Sequence, residues 1–283
     1  MNKICFVIGH SGFLGNEIFK FLKKKKLVVF GYNRKNIKKF FENKLITKYK
    51  NQVNQGVLIF AAGVHRAYGD SKKLKKYNER LTQKILKASK FYNIKKIIFL
   101  STVEVYGKPK KNFKINEKSK LKPFNNYSKG KIFQEKEIIK FSKKKGISYL
   151  ILRLPGIYGK NYNDISIVTK ILAAFKNKIF TLNGNGEQRR DYVYLNDLVK
   201  LIHKLLSSKY KNIIINVATG VSFSLNEIID MFKKKLKKEP SIKIKNDSKN
   251  FDLNFDISFL RRKKLKYLIK PLNKNINQII NFR

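Results

Sequence analysis

The chain of 283 residues contains a single cysteine, and this shortage excludes two kinds of site. Cys5 lies inside an apolar run, so neither a disulfide framework nor a cysteine metal site is available. The three histidines, His10, His65 and His203, are scattered along the chain. We therefore expect each histidine to be structural, and we expect no bound metal.

Long apolar runs are also missing. No stretch approaches the roughly 20 apolar residues that a membrane-spanning helix needs. The first apolar run is broken at His10 and is too short to serve as a signal peptide. We therefore predict a cytoplasmic protein without a membrane span.

Acidic residues are scarce: 65 Lys and Arg stand against 18 Asp and Glu, which gives a formal net charge of +47. Such an excess is typical of proteins that bind nucleic acid or anionic membranes. The lysines are nevertheless spread along the chain, and no concentrated basic arm or nucleic-acid motif is present. We therefore favour compositional drift over a polyanion-binding function and expect no specific nucleic-acid partner. In either case the positive field attracts anionic small molecules, and salt weakens that attraction.

The hydrophobic content of 42% is enough for a full core. Apolar runs alternate with helical patterns over the first 155 residues, which is typical of an α/β fold with a parallel sheet and helices on both faces. The predicted strands are residues 4–8, 27–32, 45–49, 57–63, 96–100 and 148–154. The third strand is poorly marked, and the fourth ends in the small residues 61–63. The predicted helices are 13–22, 73–92 and 127–145, with a loop before the last.

The first strand ends in three glycines spaced three apart: Gly9, Gly12 and Gly15. Gly9 permits a sharp turn from strand to helix, Gly12 lets a diphosphate approach the main chain, and Gly15 lets the helix lie close to the sheet. The free N–H groups and the positive end of that helix then face the anion. A glycine triplet alone also fits an ordinary turn, but its place between a strand and an amphipathic helix favours a dinucleotide site. The predicted contacts in this loop are Gly9, Ser11, Gly12, Phe13, Leu14 and Gly15.

The end of the second strand bears on the choice of cofactor, since it reads Tyr32-Asn33-Arg34-Lys35 and carries no acid. A carboxylate at this place bonds the ribose of NAD, whereas Arg34 or Lys35 can meet a 2′-phosphate. We therefore expect NAD(P)(H), leaning towards NADP(H). The predicted contacts here and at the end of the fourth strand are Asn33, Arg34, Ala61, Ala62 and Gly63.

Tyr127 and Lys131 are four residues apart at a predicted helix start, so they share one face. An ion pair at ~4 Å and an effective dielectric constant of ~20 is worth ~4 kcal/mol before desolvation is subtracted. That is enough to lower the pKa of a phenol by roughly two to three. Tyr127 can then exchange a proton with a hydroxyl whose carbon exchanges hydride, while Thr102, at the end of a strand, holds the same oxygen. Alone, the pair also fits an ordinary surface contact.

Further motifs follow in order along nearly the whole chain. They are GxxGxxG at 9–15, STxxVYG at 101–107, YxxxK at 127–131, RLPGIYG at 153–159, GNGEQRRDYVYLND at 184–197, NVATG at 216–220 and SLNE at 224–227. Together they resemble the extended short-chain dehydrogenase/reductase family, the NAD(P)-dependent sugar epimerases and dehydratases. The resemblance implies a doubly wound Rossmann domain of residues 1–157 with 191–206. It also implies a small C-terminal α/β substrate lobe of residues 158–190 and 207–283.

The resemblance also implies roles for individual residues. Thr102, Tyr127 and Lys131 would carry catalysis, and Lys131 and Pro155 would contact the cofactor. Thr102, Tyr127 and Arg190 would contact a nucleotide-sugar, with the planar guanidinium of Arg190 bonding its diphosphate. A structural pair with Asp191 or Asp197 is the alternative for Arg190. We interpret Ser224 and Glu227 as a helix capping box without chemistry.

One departure narrows the reaction. Where the 4,6-dehydratases carry an aspartate that acts as acid, this chain has Val103, which cannot donate a proton, although Glu104 remains. We therefore predict an NAD(P)-dependent nucleotide-sugar epimerase or 4-ketoreductase, an isomerase or an oxidoreductase, acting by reversible hydride transfer at a sugar carbon. The alternatives are a cofactor-binding protein without turnover and a polyanion-binding protein. The oligomeric state stays open, with a homodimer as one candidate.

Overall fold

The computed structural model describes residues 4–42, 56–64, 66, 69–110, 112–159, 166–176, 178–245 and 251–281. The predicted third strand at 45–49 and His65 lie outside these residues. Within the described ranges, the strands are β1 Ile4–Ile8, β2 Val28–Tyr32, β3 Gly56–Phe60, β4 Ile94–Thr102, β5 Lys114–Ile115, β6 Ser148–Leu154, β7 Gly156–Tyr158, β8 Phe180–Asn183, β9 Arg190–Tyr194, β10 Ile213–Asn216, β11 Ser222–Phe223, β12 Ile242–Lys245 and β13 Asn254–Phe255.

The same ranges contain the α-helices of the fold. They are α1 Phe13–Lys24, α2 Ile37–Phe41, α3 Lys72–Ser89, α4 Asn126–Lys145, α5 Ile167–Ala174, α6 Leu195–Leu206, α7 Leu225–Leu236, α8 Ser258–Arg262 and α9 Leu272–Ile280. None of the helices among the described residues is both long and apolar enough to cross a bilayer.

A six-stranded sheet forms the centre of the fold, in the order β10-β6-β4-β3-β1-β2. The pairs β1–β2, β1–β3 and β3–β4 are parallel. Strand β1 therefore has its two successors on opposite sides, which makes the carboxyl ends of β1 and β3 the point where the strand order reverses. In open α/β sheets this point is where ligands bind. The predicted α/β fold with a Rossmann-type parallel sheet is confirmed.

Most predicted elements match the observed ones to within a few residues. Exceptions include two short strands, β5 and β7, which the sequence did not predict. Strand β4 extends the predicted 96–100 by two residues at each end. The segment predicted as a loop before α4 contains β5, which pairs in parallel with the distant β13. A two-residue strand has no readable alternation, so only its partner defines it. Strand β6 ends at Leu154 as predicted, but β7 begins directly after Pro155.

The chain divides into two compact units. The first unit comprises residues 1–105, 123–153 and 202–215, and the second comprises 106–122, 154–201 and 216–283. The first unit is built on the alternating pattern of the sequence: β1 and β3 are buried along their whole length, as strands covered on both faces must be.

Polar side chains cap the start of two helices of the first unit, α3 and α4. The Ser71 side chain accepts a hydrogen bond from the backbone N–H of Leu74 at the start of α3. At the start of α4, Asn125 and Ser128 form a reciprocal capping box. These bonds satisfy N–H groups that a helix start leaves without a partner. The cap on α4 fixes the register of the helix that carries Tyr127 and Lys131.

The second unit contains three small sheets: β11-β9-β7, β12-β8 and β13-β5. Its core packs α5, α7 and α9 against the aromatic side chains of β7 and β9. The predicted capping box of Ser224 and Glu227 is present at the start of α7, with Glu227 N–H donating to the Ser224 hydroxyl at 3.0 Å. Glu227 additionally bonds Arg189, so it does more than cap the helix.

Candidate active site

The glycine turn joins β1 to α1 as the sequence predicts. Gly9 has φ +94°, in the left-handed region that favours glycine. A Cβ on Gly15 would collide with the carbonyl oxygen of Gly9, so only glycine lets α1 pack this close to the turn. Both residues are thus required by the fold itself.

Gly12 differs from the other two glycines and tests whether the turn fits a dinucleotide. It is the N-cap of α1, it is exposed, and a Cβ there would meet only the Gly9 carbonyl oxygen, at 3.4 Å. As a glycine, the N-cap residue offers no side chain to cap the helix, and the first turn contains no acidic residue. The fold therefore leaves room for a larger residue at this position, whereas a phosphate approaching the N–H groups needs that room. The turn fits a diphosphate-containing cofactor.

The end of β3 lies against this turn. Ala61 N–H donates to the Ile8 carbonyl oxygen at 2.9 Å, and a Cβ on Gly9 would lie 2.8 Å from the Cα of Ala62. The segment is held from α3, because the Asn78 amide bonds both the N–H and the carbonyl of Val64, at 2.8 and 3.2 Å. The predicted contacts Ala61, Ala62 and Gly63 are therefore beside the glycine turn.

The end of β2 presents different side chains on its two sides. Tyr32 points into the core, where burial raises the pKa of its phenol to about 12, and it packs on Phe40. Asn33 closes a turn by accepting hydrogen bonds from the N–H groups of Lys35 and Asn36, at 2.9 and 3.3 Å. Arg34 is exposed. Tyr32 thus belongs to the core, which leaves Asn33 and Arg34 as the polar residues nearest the position where an acid would bond ribose.

Tyr127 and Lys131 lie in the first two turns of α4. The Lys131 ammonium is 5.9 Å from the centroid of the Tyr127 ring and 4.7 Å from that of Phe99. It donates a hydrogen bond of 2.8 Å to the Leu100 carbonyl on β4. Lys131 is buried, and this desolvation lowers its pKa to about 8, although the carboxylate of Glu135 opposes the shift. The ammonium is therefore fixed beside a half-buried phenol.

Thr102 is the last residue of β4, two positions beyond the carbonyl that holds Lys131. It is buried, and its hydroxyl accepts a bond of 3.3 Å from the Glu104 N–H. The next residue, Val103, is also buried. The Glu104 carboxylate accepts a bond of 3.0 Å from the Asn125 amide and lies 3.4 Å from Nε of Arg66. Val103 supplies no proton donor beside Thr102, and Glu104 is held by two partners.

Two residues that the sequence did not single out tie down this group. Both carboxylate oxygens of Asp70 accept bonds from the start of α4, at 3.2 Å from Asn126 N–H and 2.8 Å from Tyr127 N–H. Glu135, one turn beyond Lys131, is buried and pairs with Arg153. The spacing of four from Lys131 to Glu135 was a readable signal. Asp70, 57 residues from Tyr127, had none.

Arg190 and Pro155 belong to the second unit. The guanidinium of Arg190 stacks on the Phe251 ring at 4.2 Å and donates to the carbonyl oxygen of Phe251. Asp191, the alternative partner, instead accepts bonds from Thr219 and Gly220. Pro155 separates β6 from β7.

Among the described residues, no group of three or more His, Cys, Asp or Glu could hold a metal ion.

Comparison with known proteins gives the family. A profile of the NAD dependent epimerase/dehydratase family matches residues 5–218. A Methanocaldococcus jannaschii protein provisionally named UDP-glucose 4-epimerase is 34% identical over 54% of this chain and 50% of its own length. A Bacillus subtilis protein named an uncharacterized UDP-glucose epimerase is 28% identical over 72% of each chain. The matched regions of the first three relatives span 50%, 72% and 58% of their lengths.

Solved structures share the fold over the full chain. The UDP-glucuronic acid 4-epimerase of Bacillus cereus, determined with UDP-glucuronic acid and NAD, superposes with a TM-score of 0.81 at 22% identity. The superposition covers 99% of this chain and 98% of that chain. Because the family profile spans most of the sequence and the observed sheet and glycine turn agree with it, the chain belongs to the NAD-dependent epimerase/dehydratase family.

Proposed function

We propose that this chain catalyses reversible hydride transfer between NAD(P)(H) and a carbon of a nucleotide-linked sugar, namely C4 of a hexose. The observation that carries the proposal is the position of the Lys131 ammonium. It is bonded to Leu100 on β4, two residues before Thr102, and it lies beside the Tyr127 ring. The ammonium thus lies beside the phenol, and the Thr102 hydroxyl follows two residues after the carbonyl that holds the ammonium, in the unit that also contains the glycine turn.

Each side chain has a definite task in this reaction. The nicotinamide, when bound, accepts or returns the hydride. Tyr127 takes the proton of the sugar hydroxyl during oxidation and returns it during reduction, while the Lys131 charge favours the phenolate form. Thr102 bonds the same sugar oxygen and keeps it in line. Residues 9–15, with Asn33, Arg34, residues 61–63 and Pro155, would hold the cofactor.

The products distinguish an epimerase from a 4-ketoreductase. The names of the first two relatives favour an epimerase, which oxidises C4 and reduces it again on the other face. The missing acid at the end of β2, with the exposed Arg34 beside it, favours NADP(H) and hence a reductase that consumes NADPH. Val103 disfavours dehydration, because a valine cannot protonate a leaving hydroxyl.

A panel of sugar nucleotides, with and without 4-keto groups, tests the proposal through nicotinamide absorbance and product analysis. We expect Tyr127→Phe to reduce turnover by roughly 10²- to 10⁴-fold, the contribution typical of general acid–base catalysis, with cofactor affinity unchanged. The exposed Tyr77 on α3 offers a matched control, Tyr77→Phe, which should keep full activity. Full activity of Tyr127→Phe would remove Tyr127 from proton transfer.

The same panel separates the two other functions. Tight binding of cofactor without hydride exchange on any sugar nucleotide would identify a binding protein without turnover. Salt-sensitive binding of DNA or RNA that survives Tyr127→Phe and is competed by generic polyanions would identify a polyanion-binding protein.

The preference for NADP(H) is tested at the exposed Arg34. Arg34→Ala should weaken NADP(H) binding more than NAD(H) binding, since only NADP(H) carries the 2′-phosphate. Arg80→Ala, at an exposed arginine on α3, is the control for the general positive field. An unchanged ratio of the two affinities in Arg34→Ala would contradict the preference.

We also propose that one domain binds the cofactor and that a smaller lobe binds the substrate. In that lobe, Arg190 would bond the substrate diphosphate. Arg190→Ala should then raise KM for a sugar nucleotide more than it lowers kcat. We also propose a cytoplasmic location, and a homodimer is one candidate for the oligomeric state. Light scattering coupled to size-exclusion chromatography measures the oligomeric state.

A further inference from the structure

A buried carboxylate lies one helical turn beyond the candidate catalytic lysine on α4. Glu135 follows Lys131 by one turn and Tyr127 by two turns of α4, so the three side chains share one helix face. The Glu135 side chain is only 4% exposed. A charge is seldom buried this deeply without a partner that repays its desolvation.

Glu135 is held from two neighbouring strands. Arg153 on β6 reaches it with two nitrogens: Nε lies 3.1 Å from Oε1, and a terminal nitrogen lies 2.7 Å from Oε2. Ser101 on β4 donates its hydroxyl to Oε1 at 2.5 Å. A forked contact with a guanidinium fixes the carboxylate plane as well as its position. Glu135 therefore has one well-defined orientation.

The Lys131 ammonium is held by a different set of contacts from those of Glu135. The ammonium is bonded to the Leu100 carbonyl on β4 and lies over the Phe99 ring. Along its own helix it lies between Tyr127 and Glu135. Burial drives Lys131 towards its neutral form, and Glu135 is the carboxylate that opposes this shift. Arg153 acts on Lys131 through Glu135, because its own positive charge alone would favour the neutral amine.

We propose that Glu135 is a positioning residue that keeps Lys131 charged and directed at the Leu100 carbonyl, and that Arg153 and Ser101 hold Glu135 in place. The catalytic meaning of this arrangement rests on the proposed function, since it is there that Lys131 assists Tyr127. The effect on Lys131 itself requires no turnover and can be measured directly.

The measurement is an NMR titration of the whole protein labelled with ¹³C at Cε of lysine. The resonance of Lys131 is identified by its absence from Lys131→Met. In the wild type it should titrate with a midpoint near pH 8, apart from the exposed lysines. In Glu135→Gln it should move lower by about one pH unit, because an attractive charge is lost while Arg153 remains.

A double variant keeps the test decisive if Glu135→Gln folds poorly. Glu135→Gln with Arg153→Met removes both charges, so its Lys131 midpoint should lie between those of the wild type and Glu135→Gln. Circular dichroism checks that each variant is folded. A purely structural ion pair predicts the same midpoint in every folded variant, and that result would overturn the proposal.

The outcome separates this inference from the proposed function. If the Lys131 midpoint is lower in Glu135→Gln but no sugar nucleotide is turned over, the proposed reaction is contradicted and the role of Glu135 is supported. Turnover with an unchanged Lys131 midpoint would support the proposed reaction and contradict the role of Glu135. Where turnover is found, the alkaline limb of its pH profile should move in the same direction as the NMR midpoint.

Discussion

Each compact unit contains an Arg–Glu pair of nearly the same length, and the two pairs differ in their surroundings. In the first unit, Arg153 and Glu135 are 2.7 Å apart with side chains 3% and 4% exposed. In the second, Arg189 and Glu227 are 2.9 Å apart with side chains 41% and 44% exposed. Solvent reaches and screens the second pair, whereas the first pair is almost fully excluded from solvent. Nearly equal N–O distances therefore belong to ion pairs whose loss affects stability very differently.

The buried pair teaches more about specificity than about net stability. Desolvation offsets much of the attraction between buried charges, so such a pair adds little over a well-packed apolar pair. Loss of one partner is costly, because the other charge is then buried alone. Glu135 and Arg153 are thus committed to each other, which suits a pair that positions Lys131.

The largest effect is expected from breaking the buried pair. Arg153→Met should lower the free energy of unfolding by about 3 to 5 kcal/mol, because Glu135 is left without its guanidinium. Urea unfolding at pH 7, followed by circular dichroism, measures this. Adding Glu135→Gln to the same protein should recover most of the loss. Equal stabilities of the single and double variants would show that the pair is uncoupled.

The second prediction concerns the buried charge beside the pair. The pKa of Lys131 is lowered in the folded protein from 10.5 to about 8, so between these pH values the unfolded chain binds more protons than the native one. The free energy of unfolding of the wild type relative to Lys131→Met should therefore rise by up to about 3 kcal/mol from pH 8 to pH 10.5. Lys129→Met, at an exposed position of α4, serves as the control. Parallel pH profiles for the wild type and Lys131→Met would contradict the burial of a charged Lys131.

A buried carboxylate of the second unit gives the third prediction. Asp191 accepts bonds of 2.8 to 3.1 Å from Thr219 and Gly220, and burial raises its pKa from 3.8 to about 6. The native state then binds more protons than the unfolded chain between these values. Relative to Asp191→Asn, the wild type should lose up to about 3 kcal/mol of unfolding free energy between pH 4 and pH 6.

The control for that series is Asp230→Asn on the exposed side of α7. Urea unfolding at several pH values measures all three proteins. If the gap between wild type and Asp191→Asn stayed constant over this range, the carboxylate would be ionised throughout. The hydrogen bonds would then outweigh burial.

The smallest effect is expected at the exposed pair. Glu227→Gln keeps the acceptor that caps α7 and removes only the charge facing Arg189. It should cost about 0.5 kcal/mol or less, and the cost should fall further in high salt. Chemical denaturation at low and high salt measures both. A loss comparable to that of Arg153→Met would break the comparison, because exposure would then make no difference.

Much of the fold was predictable because it depends on local patterns. The alternation of apolar runs with amphipathic segments reports which faces are covered, and three glycines at fixed spacing report a turn with little room. Tyr127 and Lys131 were readable as a pair because four residues make about one helical turn. Strand β5 was not readable, since its two residues acquire a pattern only by pairing with β13.

The sequence by itself determined the α/β order, the glycine turn and the helix face that carries Tyr127 and Lys131. Tertiary structure alone decided that Lys131 is bonded to Leu100, that Arg153 and Ser101 hold Glu135, and that Asp70 caps α4. These contacts join residues 18 to 57 positions apart. The physical reason is that dihedral preferences and periodicity act over one or two turns, whereas the partner of a buried charge depends on which strands the fold places side by side.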